Sequence, residues 1–182
     1  MTSRARLLNL AAAAAIVGTS CGALAFSPFG GAALVRTAAV PNCTSSQLHV
    51  THGPVMAGFI AEGRKITTTL IFTNTGATCA IWGVPSVRAA TGKNHAAVGP
   101  WAANQSSGAK VVHHVLKGHA AVSSKYSAAV YYSLATCHQQ SADGVVVVLP
   151  KFALPVYLSL AMSVCTGVNS ETTQLIQPGT AG

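Results

Sequence analysis

Carboxylates are nearly absent from this chain: Glu62, Asp143 and Glu171 are the three acidic residues among 182. Glycosidases and aspartic proteases work with two carboxyl groups held close together. With Glu62 at a charged turn and Asp143 at a glycine turn, no such pair is expected. Charged residues of both signs reach only 8%, against about 25% in an ordinary domain. The phosphate-cradling loop, the dinucleotide fingerprint and the nucleophile elbow are missing as well. No cysteine stands in C-x-x-C or C-x-x-H spacing, so a zinc knot is not expected. Beyond the N-terminal segment the bases (Arg36, Arg64, Lys65, Arg88, Lys93, Lys110, Lys117, Lys125, Lys151) are spread singly or in the one pair Arg64-Lys65. Nucleic-acid binders cluster bases on one face and interleave aromatics for stacking. Aromatics make up only 6% here, and a nucleic-acid partner is not expected. No stretch after the first 25 residues is apolar and long enough to span a bilayer.

What the chain does have is small and apolar. Half its residues are hydrophobic, and Ala, Val, Gly, Ser and Thr dominate, which suits two packed β layers. The net charge is +8, or +6 without Arg4 and Arg6. That excess favours weak attraction to anionic envelope polymers or lipid headgroups, besides plain colloidal solubility. Residues 1–25 read as an export signal: Arg4 and Arg6, an apolar run over 7–17, then Ala23-Leu24-Ala25 as a cleavage site. Two other fates are open, lipidation at Cys21 and retention as an uncleaved anchor helix. All three place the domain outside the cytoplasmic membrane, secreted or envelope-associated, with membrane contact only through this segment. Residues 26–41, rich in Gly and Ala with two prolines, read as a flexible tether. The domain is expected over 42–182.

Residues 66–87, ITTTLIFTNTGATCAIWGVPSV, organise that domain. Ile66, Thr68, Leu70 and Phe72 fall on one face of a strand and Thr67, Thr69, Ile71 and Thr73 on the other. Asn74-Thr75-Gly76 tolerates positive φ and reverses the chain. Cys79, Ile81 and Trp82 follow, and Pro85 closes a corner. The stretch reads as a hairpin stapled near its turn, after a charged turn over 62–65. Further strands are expected over 47–52, 56–61, 110–117 (continuing over 120–124), 127–134, 145–149, 155–161 and 172–177. The run 145–149 is unbroken in its apolarity, which implies burial on both faces. Residues 89–108 read as a long irregular connection with one short strand at most. About eight or nine strands without helical period indicate an all-β, antiparallel sandwich, immunoglobulin-like or similar.

Phe72-Thr73-Asn74-Thr75-Gly76, then Cys79, Ile81, Gly83, Pro85 and Val87, with Cys43, Leu48, Cys137, Cys165 and a Val-rich strand ending at Pro150, resemble the domain of unknown function 4232 family of exported actinobacterial proteins. The resemblance runs from about Asn42 to the C-terminus. It implies a secreted, disulfide-bonded β-sandwich and brings no known chemistry. The four cysteines after Cys21 allow three pairings, and in an oxidising compartment an even number reads as disulfides. The resemblance and the sequence order together imply Cys43 with Cys79 and Cys137 with Cys165.

Candidate sites are few. His113 and His114 are adjacent in an expected strand and leave by opposite faces, as do His49 and His52, so neither pair is expected to share an ion. A blue-copper site would need a free thiol. Ser107-Gly108-Ala109-Lys110 matches S-x-x-K, but it straddles a loop and a strand start and lacks its partner motifs, so it reads as chance. Asn42 and Asn104 open glycosylation sequons, discounted because the export signal looks bacterial. Trp101 and Asn104, in the long connection, are the candidate binding-loop residues, since irregular loops on a rigid sandwich commonly carry recognition. The competing reading packs Trp101 onto the core. The expectation is a non-catalytic envelope module without cofactor, binding a polymer, lipid or protein. A small Ser/His hydrolase using Asp143 is the alternative, and an extracytoplasmic metal-binding protein comes third.

Overall fold

The computed structural model describes residues 39–152 and 154–179. The expected export signal, with Cys21 and the Ala25 cleavage site, and most of the tether lie outside the described residues. In chain order the strands are β1 (Leu48–His52), β2 (Met56–Ile60), β3 (Gly63–Asn74), β4 (Cys79–Ile81), β5 (Ser86–Thr91), β6 (Ala96–Ala97), β7 (Ala103–Asn104), β8 (His114–Leu116), β9 (Ala121–Tyr131), β10 (Gln139–Val148), β11 (Val156–Cys165), β12 (Glu171–Thr173) and β13 (Gln177–Pro178). No helix occurs among the described residues. A large sheet has the order β1-β3-β9-β12-β7, with β2 also on β3 and β13 also on β9. A smaller sheet runs β11-β10-β5-β6, and β4 pairs with β8 apart from both. The pairings are antiparallel except β7 with β12.

Period-two alternation decides which face is dry. Thr68, Leu70 and Phe72 of β3 are buried, as are Val122, Tyr126 and Ala128 of β9, and Thr67, Thr69 and Ile71 are half-buried. Facing them across the core are Val87 and Ala89 of β5, Val145 and Val147 of β10, and Leu160, Met162 and Val164 of β11. Val146 is buried too, as the unbroken apolar run requires. The fold is therefore an all-β sandwich. Disulfides join Cys43 to Cys79 and Cys137 to Cys165, with Cα atoms 4.7 and 4.8 Å apart. Cys43 sits beside an isolated bridge between Asn42 and Ala80, and its N–H donates to the Ala80 carbonyl.

The structure corrects several local expectations. The 66–87 stretch is not a hairpin, because both edges of β3 are occupied, by β1 and β2 on one side and β9 on the other. The chain after Asn74 turns away, and β4 pairs with β8. Asn74 fixes that exit: its buried amide donates to the carbonyls of Ala77, Leu116 and Lys117 and accepts from the Gly76 N–H. The expected charged turn over 62–65 is shorter, since Gly63 already opens β3. A Cβ at Gly63 would collide with the Val130 carbonyl, so glycine permits the close approach of β9. β9 runs unbroken through Lys125 and Tyr126, one exposed and the next buried. Residues 89–108 begin inside β5 and hold β6 and β7, so they are less irregular than expected. Six of the thirteen strands have only two or three residues, too short for a period to show, which is why the count exceeds eight or nine.

Candidate functional site at the open end of the sandwich

Where β3 begins and β11 ends, the two layers carry small side chains. Ala57, Ala142, Ala161, Ser141 and Ser163 line this end. A cleft of about 440 Å³ results, within the size range of small-molecule sites. Its apolar walls are Ile66, Val130 and Met162, and Arg64, Lys65, Tyr132 and Gln139 complete the lining. Among the described residues, no carboxylate lines the cleft. β3 positions the cation: Arg64 stands opposite Val130 of β9, two residues before Ile66, and its guanidinium carbon lies 5.9 Å from the Phe59 ring centroid. At the opposite end, Leu48, Val50, Val147, Leu149, Phe152 and Val156 close together around a much smaller void.

Beneath the cleft floor lies the one acid of the core. The Met162 sulfur is 3.6 Å from the Tyr126 hydroxyl. That hydroxyl donates to Glu171 Oε2 at 2.5 Å, and the Ala89 N–H donates to the same oxygen at 3.0 Å. Glu171 is 1% exposed, so its carboxyl ties β12 and β9 of the large sheet to β5 of the small one. Its Oε1 is buried without a hydrogen-bond partner among the described residues. Burial pushes the carboxyl up from 4.5 to about 7, against the opposing pull of the Tyr126 and Ala89 hydrogen bonds and the nearby Arg88 charge. Burial and the adjacent Glu171 likewise raise Tyr126 well above the ordinary phenol value.

The residues singled out from sequence lie elsewhere. Trp101 is 42% exposed, with the Arg88 guanidinium 4.5 Å from its ring centroid. Asn104 is exposed, and its side-chain oxygen accepts from the Ser106 N–H, shaping the turn. Neither lines the cleft. Trp101→Ala is expected to cost about 1–2 kcal/mol, from the lost cation–π contact and the covered half of the ring; urea denaturation measures it. Asp143 accepts from the Tyr157 hydroxyl and the Gly92 N–H, which hold its carboxyl below the usual range. His95 stacks on Tyr157, His113 on Trp82, and His52 and His114 bond to backbone carbonyls. Among the described residues, no three or more His, Cys, Asp or Glu side chains converge on a metal-sized site. Nothing in the sequence marks Arg64, Lys65, Met162, Tyr126 and Glu171 as a site; the single basic pair Arg64-Lys65 is the one signal near the cleft.

A family model described as a domain of unknown function (DUF4232) matches residues 43–177. No curated protein and no solved structure matches the chain significantly.

Proposed function

The chain belongs to the domain of unknown function 4232 family, and we propose that this member is an exported, non-catalytic binding module of the cell envelope. Its ligand site is the open end of the sandwich, and its ligand class is a small anionic amphiphile, a carboxylate or phosphate head on an apolar body. The observation that carries this reading is the cleft lining: the Arg64 cation on the same strand face as Ile66, apolar walls of Ile66, Val130 and Met162, and, among the described residues, no lining carboxylate. A carboxylate or phosphate accepts charge-assisted hydrogen bonds from guanidinium, and the apolar body gains by leaving water. Two disulfides are consistent with an oxidising, extracytoplasmic setting, which supports export.

Decanoate and decanol, titrated below their aggregation limits and followed by calorimetry, separate the two parts of the reading. Decanoate is expected to bind at least about tenfold more tightly than decanol, the range of a lost charge-assisted hydrogen bond. Arg64→Ala is expected to erase that preference while leaving the melting temperature within about 2 °C. Equal binding of acid and alcohol to the wild type, or an unchanged preference in Arg64→Ala, sinks the assignment.

A further inference from the structure

β2 is an edge strand with no charged residue, and among the described residues it pairs with β3 alone. Natural edges are usually blunted by charge, proline or a covering loop. This one instead projects Phe59, 87% exposed, and Met56, 64% exposed. Scattered exposed apolar side chains need no explanation, but these two flank one free edge: three residues apart, they leave β2 by opposite faces, Phe59 beside Arg64 and Met56 beside Thr67. The cleft and a shallower depression formed by Met56, Phe59, Ile60, Thr67 and Lys125 share Ala57 and Lys65. The exposed Tyr132 borders the same cleft.

Cations ring the protrusion. Arg64 lies against Phe59, Lys65 lines both depressions, and Lys125 lines the second. Of the chain's three acids, only Glu62, in the turn between β2 and β3, is close along the chain; Glu171 is buried and Asp143 is engaged by Tyr157 and Gly92. Protruding apolar side chains ringed by bases match one kind of partner above others. At an anionic lipid surface, apolar groups enter the headgroup–acyl boundary while Lys and Arg meet phosphate. A soluble polyanion would use the bases and leave Phe59 and Met56 in water.

We propose that β2 and its basic rim dock the domain on the anionic surface of a lipid bilayer, with Phe59 and Met56 entering the interface. This contact adds to any attachment through the N-terminal segment, and it stands whether or not the cleft holds a ligand.

The test uses the full chain with Phe59→Trp, which places a reporter on β2; Trp82 and Trp101 give the same background in wild type. Vesicles of phosphatidylglycerol mixed with phosphatidylcholine carrying brominated acyl chains are expected to quench the added emission beyond the wild-type level. Brominated phosphatidylcholine alone is expected to quench it little. Lys65→Gln and Lys125→Gln are each expected to weaken partition to the anionic vesicles about fivefold, with unchanged melting. Vesicle binding without extra quenching at position 59 would mean that only the N-terminal segment inserts, and would overturn the proposal. Equal quenching by the zwitterionic vesicles would overturn it as well, because the basic rim would then have no role.

Discussion

Raising the pH from 4 to 8 is expected to remove about 3 kcal/mol of stability from the wild-type chain that Glu171→Gln keeps. The unfolded carboxyl titrates near 4.5, while burial moves it to about 7 in the fold. The folded chain therefore holds this proton more tightly than the unfolded chain does. The stabilisation is complete below about pH 4.5 and is lost as the pH rises through 7. Above that, an ionised carboxylate sits between the sheets with only Oε2 hydrogen-bonded, and desolvation of the charge is not recovered. The amide introduced by Glu171→Gln keeps an acceptor for Tyr126 and Ala89 without the charge. Urea denaturation at a series of pH values reads the difference, because the remaining titrating groups are common to both proteins. Parallel profiles for wild type and variant would show that Glu171 ionises in the fold as it does in water. Tyr126→Phe removes the hydrogen bond that most favours the charged form, so the loss should still begin near pH 4.5 but continue to a higher pH and become larger.

Opening the disulfides is expected to cost more. Cys43 and Cys79 are 36 residues apart and Cys137 and Cys165 are 28 apart, and closing loops of that size in the unfolded chain is worth about 3–4 kcal/mol each. Together they are comparable with the whole stability of an ordinary domain. Replacing Cys43 and Cys79 together by Ala is expected to lower unfolding stability by about 4 kcal/mol, and full reduction should bring the domain to the edge of unfolding at room temperature. Equilibrium denaturation with and without reductant measures both. A reduced chain that unfolds at the same denaturant concentration as the oxidised one would show that the packed layers suffice alone.

Local pattern carried the fold class, and distance along the chain hid the site. Residues 66–73 announce a half-buried strand because each side chain alternates with its neighbour, and 145–149 announce a buried one because none does. Arg64 and Lys65 read as a turn, since charge beside glycine ordinarily marks one; their place in β3 depends on Gly63 admitting the Val130 carbonyl. Residues 86–91 pair with β10 although Arg88 and the alanines around it give no strand period. Glu171 was visible only as a scarce acid. Its burial requires β12, three residues long, to lie beside β9 while β5 approaches from the other layer, and no window of sequence contains all three. Asn74 announced a turn through its backbone tolerance, whereas its amide binding three carbonyls follows from the later arrival of residues 116 and 117.

The position of the two sulfur bridges also governs how the domain would answer tension. A pull between its ends enters at Cys43, crosses directly to Cys79, and later jumps from Cys137 to Cys165. The strands enclosed between each pair, β1 to β3 and β10 with nearly all of β11, bear none of that load. Roughly 200 Å of contour is thereby withheld from extension. Held by one end in a moving wall, such a domain would yield through β4 to β9 and through β12 and β13, and leave the backbone of its cleft, apart from the β9 side, unstretched.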